Sequence, residues 1–226
     1  MTMPATTDAS VRPDAVVGEL RSAVLTGGLS PDTAVTEAYV AQTYGVARPT
    51  ARIAIDKLVA DGLLGRRPHH AARVRTLDRD DITDLFVSRA AIEAAAVELL
   101  ASATTIPADA SEAHRRLLDQ PEDAPYTAHD LAFHRALVHG TTSTRLPRLH
   151  DLLMGEIELG IAQVEAHRLR SGDEVAREHQ AILDAIATGD VERAGHLTRA
   201  HIRASSDRLV AHYDSLHAPP TAQKVT

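Results

Sequence analysis

The 226-residue sequence predicts a mainly α protein in two parts: three helices closed by a small β-hairpin, then an all-α antiparallel bundle of about six helices. Three observations lead there. Aromatic residues make up 3% of the chain and Trp is absent, so the core must come from Ala, Leu, Val and Ile, which favours closely packed helices over a β-sandwich. Breakers recur at the spacing of short helices and their loops, at Pro107, Pro121, Pro125, Gly140, Gly172 and Gly189. The charge is also uneven. The chain carries −7 overall, yet residues 44–79 hold eight Lys/Arg against three Asp/Glu, which suggests a basic module joined to an acidic one.

Taken in order, residues 1–11 read as a flexible tail. VRPDAVVGELRSAVLTGG forms a first helix, with Pro13 tolerated near its start and Gly27-Gly28 stopping it. Thr36 N-caps a short second helix that runs through Thr43 and breaks at Gly45. A third helix starts about Arg48, with Pro49 in its first turn, and ends at Asp61-Gly62. Its core face is Ala51, Ile55, Leu58 and Val59, while Arg48 and Arg52 project together from another face. LLGRRPHHAARVR is short, basic and centred on a turn, as a β-hairpin wing would be. This first domain spans 12–76, and TLDRDD at 76–81 is the junction. The second domain, 79–214, carries helices near 79–103, 108–119, 125–140, 144–169, 173–188 and 190–214, with no convincing strand. Residues 215–226 read as a second flexible tail.

With no cysteine in the chain, disulfides and thiolate metal sites are excluded. No apolar run is long enough to span a membrane, and the Ala/Thr-rich start lacks a hydrophobic signal core. A cytoplasmic protein with no membrane partner is the expectation.

The order helix, helix, turn, helix, basic hairpin is that of a winged helix-turn-helix, which sets its second helix into the major groove of double-stranded DNA. Arg48 and Arg52 are the candidates for guanine edges or phosphates, and Thr50 for a phosphate hydrogen bond. Arg66, Arg67 and His69 of the wing, with His70, Arg73 and Arg75, are placed to follow the backbone or enter a minor groove. The plainer alternative is a solvated basic surface. Residues 12–76 resemble the DNA-binding domain of the GntR family of bacterial transcription regulators. The resemblance rests on GLSPD at 28–32, Thr36-Glu37, GVARPTARIAI at 45–55 and Gly62-Leu63. It implies that Arg48 and Arg52 are the two DNA-contacting arginines. Ala47 stands where that family usually has Ser, Ile53 where it has Glu and Asp32 where it has Gly, and the wing has His70-Ala71-Ala72 without the usual Gly. These departures bear on operator sequence and wing geometry.

In the second domain, Asp130 and His134 stand four apart in YTAHDLAFHRALVH and so share one helix face. His179 and His201 each lie near the middle of a later helix. Three imidazoles and one carboxylate can hold a Zn²⁺-like ion inside a helical bundle and leave positions open for water or an organic ligand. Ordinary alternatives exist: Asp130 and His134 can form a local ion pair. With 13 histidines in the chain, His114, His129, His139, His150, His167, His196, His212 and His217 are read as surface or hydrogen-bonded residues.

Residues 79–214 resemble the all-helical FCD ligand-binding domain of FadR-type GntR regulators, through LFVSRAAIEAAA at 85–96, DLAFH at 130–134, EHQAILDAIATGD at 178–190 and His201. The resemblance implies that Asp130, His134, His179 and His201 bind a divalent metal, Zn most often, with Ni or Mn as alternatives. It further implies a small carboxylate-containing effector at the open metal positions. Arg89 matches a position that can reach such a carboxylate; a salt bridge to Glu93, one turn on, is the alternative. Ser143 stands where many members have Asn, and a count of six helices is similar to the VanR-type subgroup. The implied function is a homodimeric regulator, most often a repressor, that reads a pseudo-palindromic operator. A regulator with the ion itself as signal is a second reading. A metal-dependent hydrolase or oxygenase is a third, for which no further Glu or Asp stands at motif spacing as a general base.

Overall fold

The computed structural model describes residues 13–121, 124, 126–164 and 171–218, and the chain divides into two compact units, Met1–Thr76 and Leu77–Thr226. The expected tail at 1–11, Pro125, His167, the last residues expected of the 144–169 helix and the far C-terminal residues lie outside the described residues.

In the first unit, α1 (Pro13–Leu25), α2 (Glu37–Tyr44) and α3 (Arg48–Ala60) pack through Val16, Leu20, Val24, Val40, Ala51, Ala54, Ile55 and Leu58. Thr36 caps α2 by accepting from the backbone N–H of Tyr39, satisfying one of the donors a helix start leaves open. Gly45 ends α2 at φ 65°, a left-handed position that favours glycine. The buried face of α3 includes Ala54 rather than a fully buried Val59, which is only partly covered.

The wing is larger than a hairpin. β2 (Leu64–Gly65) and β3 (Ala72–Val74) pair antiparallel, and β1 (Ala34–Val35) adds to the other edge of β3, giving the order β1-β3-β2. Two residues are too few to show the alternation that reveals a strand. Asp32 and His69 adopt positive φ, 63° and 64°. They take up, without glycine, the left-handed backbone that the turn before β1 and the tip of the wing require.

The second unit contains α4 (Arg79–Ser102), α5 (Ala108–Leu118), α6 (Thr127–His139), α7 (Leu146–Gln163), α8 (Gly172–Ala187) and α9 (Val191–Leu216), and no strand among its described residues. The helix α9 runs two residues beyond its expected end. TLDRDD is largely the start of α4: Asp78 accepts from Asp80 and Asp81, and Asp81 accepts from Asp78 in return, a reciprocal cap. The core joins α4, α5, α6, α8 and α9 through Val97, Leu100, Ala113, Phe133, Leu137, Ile182, Ile186 and Ala194. No helix of the described residues is long and apolar enough to cross a membrane.

Candidate functional site

Helix spacing sets Asp130 and His134 one turn apart on α6, and packing brings His179 of α8 and His201 of α9 against them. One ligand atom from each of the four lies within 4.8 Å of the others. Asp130 Oδ1 is the common point: the Nε2 atoms of His179, His134 and His201 stand 3.2, 3.6 and 3.8 Å from it. His134 Nε2 and His201 Nε2 are themselves 3.0 Å apart. The three rings are buried, and Phe133 stacks on His179 at 3.8 Å, fixing its plane.

Two carboxylates set the far sides of these rings. Glu93 Oε2 of α4 lies 2.5 Å from His134 Nδ1, a charge contact without hydrogen-bond alignment, and Glu178 Oε2 is hydrogen-bonded to His201 Nδ1 at 2.6 Å. A carboxylate at Nδ1 keeps the proton there and turns the Nε2 lone pair inward, the arrangement that metal-ligating histidines use. Glu93 also accepts from Arg89 Nε at 2.8 Å and pairs with His150 Nε2 at 2.9 Å, so one buried carboxylate ties α4, α6 and α7 together. Sequence reasoning did not find Glu93, His150 or Glu178 as parts of this cluster. Glu178 had a signal, as the neighbour of His179. The contact of Glu93 with His134 joins two helices, which local spacing does not show.

Electrostatics divides the rings. Burial pushes the His179 imidazole down to about 3, and it lowers His201 as well, so both stay neutral at ordinary pH. Burial acts the same way on His134, but the Glu93 charge outweighs it and the net direction is upward. Burial alone would raise Asp130 and Glu93; the His134 and His179 rings facing it hold Asp130 well below the usual carboxylate range, and the Arg89 charge does so for Glu93. The Arg89 side chain is 2% exposed, its pairing with Glu93 is made, and its Nη2 has no hydrogen-bond partner among the described residues. Arg89 and Asp130 line the same cavity.

These residues fit a divalent ion. Ligand bonds of about 2.0–2.1 Å put neighbouring donor atoms about 2.9 Å apart at right angles, in a shell that expands beyond four positions, and about 3.3 Å apart in a closed tetrahedron; the Nε2–Oδ1 and Nε2–Nε2 separations of 3.0 to 3.8 Å admit the expanded shell. Two inward Nε2 lone pairs at 3.0 Å need a cation or a shared proton between them. Neither nitrogen of the His179 ring makes a well-aligned hydrogen bond among the described residues.

In the first unit, Arg48 and Arg52 sit on the exposed face of α3, with Thr50 half-buried between them. Arg66, Arg67 and His69 are exposed on the wing. Asp56 of α3 lies between these two groups, 3.8 Å from Arg52 Nε and 2.6 Å from Arg66 Nη1. These are exposed pairs, readily exchanged for other partners.

Residues 13–74 match the family model of bacterial regulatory proteins of the gntR family, and residues 84–204 match that of the FCD domain. A Paenarthrobacter nicotinovorans protein assigned as a transcriptional repressor of a D-xylose utilization operon is 29% identical over 203 residues, covering 88% of this chain and 87% of its own. The transcriptional repressor GlaR of Escherichia coli K12 is 24% identical over 201 residues, covering 81% and 89%. Among solved structures, a Rhodococcus sp. RHA1 protein assigned as a GntR transcriptional regulator superimposes with a TM-score of 0.71 at 26% identity, covering 88% of this chain and 98% of its own. The E. coli protein McbR/YncC shares the fold, with a TM-score of 0.68 at 19% identity, covering 89% and 98%.

Proposed function

The chain belongs to the gntR family of bacterial regulatory proteins and carries an FCD domain, and from that premise we propose that its DNA binding is governed by a small organic acid held at a metal site in the second unit. It is a DNA-binding transcription regulator of the FadR-like type, and its families and relatives are regulators, not enzymes. The hydrolase reading of the quartet therefore falls away. The six helices among the described residues of the second unit favour the VanR-type arrangement.

The observation that carries the metal reading is the inward pair of Nε2 atoms at 3.0 Å, each ring backed by a carboxylate at Nδ1. Asp130, His134, His179 and His201 would hold the ion, with Zn²⁺ first by its preference for imidazole and Ni²⁺ or Mn²⁺ as alternatives. When bound, the ion offers open positions for a carboxylate or hydroxyl oxygen. Arg89, fixed by Glu93, lines the same cavity with Nη2 unpartnered among the described residues, and would supply a charge-assisted donor to that carboxylate.

On the DNA side, Arg48, Thr50 and Arg52 serve base edges and phosphates, and Arg66, Arg67 and His69 serve the backbone. A homodimer would present two such faces to a pseudo-palindromic operator. The effector acts only if it prefers one of the DNA-competent or DNA-incompetent states, and TLDRDD, where α4 begins, is the segment that would transmit the preference. The relatives named as repressors favour repression.

The test is operator affinity of the full-length protein, titrated first with Zn²⁺ alone and then with Zn²⁺ plus short organic acids. A change that requires both supports an acid effector. A full response to Zn²⁺ alone favours the ion as the signal.

A further inference from the structure

Arg89 of α4 and Arg208 of α9 line one cavity of about 50 Å³, together with Phe86, Asp130, Ile161 and Ser205. Each guanidinium is anchored through one nitrogen. Arg89 Nε donates to Glu93 Oε1 at 2.8 Å, and Arg208 Nη2 donates to Glu174 Oε1 at 2.6 Å. Each also keeps one buried nitrogen without a hydrogen-bond partner among the described residues, Nη2 of Arg89 and Nη1 of Arg208. A guanidinium has donors only, so its complement is an oxygen acceptor, and an ionised one binds best.

Two such donors, on different helices, share a wall that is otherwise partly apolar, with Phe86, Ile161 and Leu209. The shape complementary to that wall is a short hydrocarbon segment with an oxygen acceptor at each end. At about 10–15 Å³ of such space for each water, the cavity holds about four waters, and at about 30 Å³ of liquid volume each this matches a diacid of about three to four carbons and excludes a long chain.

We propose that the cavity takes a short aliphatic dicarboxylate, with one carboxylate at the Asp130–Arg89 end and the second on Arg208 Nη1. The proposal rests on the acid-effector reading above and adds a second anchoring point. Glu174 holds the Arg208 guanidinium so that Nη1 remains available to a ligand. A monocarboxylate would leave that nitrogen to water.

The experiment is calorimetric titration of the zinc-loaded full-length protein with malonate, succinate and glutarate, and with acetate, propionate and butyrate, at constant ionic strength. One diacid should bind about 10- to 100-fold more tightly than the monoacids, the range expected for one charge-assisted hydrogen bond. Arg208→Gln should close that gap, with monoacid affinity and zinc content unchanged. Equal affinities for mono- and diacids in the wild-type protein overturn the dicarboxylate and leave the acid-effector reading standing. A gap that survives in Arg208→Gln overturns the role of Arg208. No binding of any acid overturns both readings.

Discussion

His134 Nε2 and His201 Nε2 meet at 3.0 Å across the interior of the second unit, while the opposite nitrogen of each ring lies against a glutamate. The two glutamates, Glu93 and Glu178, come from different helices, α4 and α8. Each fixes a tautomer and a ring orientation at the centre. Replacing either carboxylate by an amide keeps the shape and removes the charge. Glu93→Gln and Glu178→Gln should each weaken zinc affinity by about 10- to 100-fold, the usual effect of losing a carboxylate behind a ligating histidine. Competition titration with a chromophoric chelator measures this. Wild-type affinity in both variants would mean that the glutamates only fill space.

The exposed arginines of α3 should behave differently from those of the wing. Arg48→Ala or Arg52→Ala should cost about 1–3 kcal/mol of specific binding if the lost side chain makes a bidentate base contact. Arg66→Ala should weaken specific and non-specific DNA alike and lower the salt slope by about one. Fluorescence anisotropy on an operator fragment selected by the protein, over a salt series, separates the two. Unchanged operator affinity in both Arg48→Ala and Arg52→Ala removes α3 as the reading helix.

Stability of the metal-free protein should depend on pH through His179. Its folded-state value is pushed by burial from 6.5 down to about 3. The unfolded chain therefore binds more protons than the native one in that interval. The stabilisation is fully present above about pH 6.5 and is lost as pH falls toward about 3, at up to about 1.4 kcal/mol per pH unit. His134, whose shift is upward, contributes with the opposite sign, and Asp130, held low in part by His179, adds to the acid loss that His179→Gln relieves. Urea unfolding of both proteins, stripped of metal, should show a steeper acid loss in the wild type. Parallel pH profiles would contradict this.

Gly140 closes α6 against the start of α5. A Cβ there would stand 2.1 Å from Pro107 Cγ and 2.6 Å from Pro107 Cβ, in a ring that cannot rotate away. Gly140→Ala should destabilise by about 1–3 kcal/mol, the typical cost of overpacking. The midpoint of denaturant unfolding reads it, and an unchanged midpoint would show that the α5 start yields freely.

Much of this architecture is visible in local pattern. Pro49, Gly62, Pro107, Gly140, Gly172 and Gly189 stand at helix ends, so most helix limits differ from expectation by one or two residues, whereas α7 ends at Gln163, short of the expected 169, where no Pro or Gly marks the stop. Asp130 and His134 share a face by helical period alone. The arrival of His179 and His201 at the same point depends on how α8 and α9 pack against α6, which composition does not reveal. Glu93 illustrates the limit most clearly. From sequence it was the salt-bridge alternative for Arg89, one turn away; in the structure it pairs with Arg89 and also faces His134 and His150. The strand β1 was hidden for a different reason, since Ala34 and Val35 gain their extended pairing only from β3.

The central claim is that Asp130, His134, His179 and His201 hold one divalent ion where an effector can reach it. Anomalous scattering from crystals of the zinc-loaded protein, collected on both sides of the zinc absorption edge, tests this most directly. The account predicts one strong peak per chain, bounded by Asp130 Oδ1 and the three Nε2 atoms. A fully loaded crystal with no peak there, or with zinc bound by other residues, would contradict it.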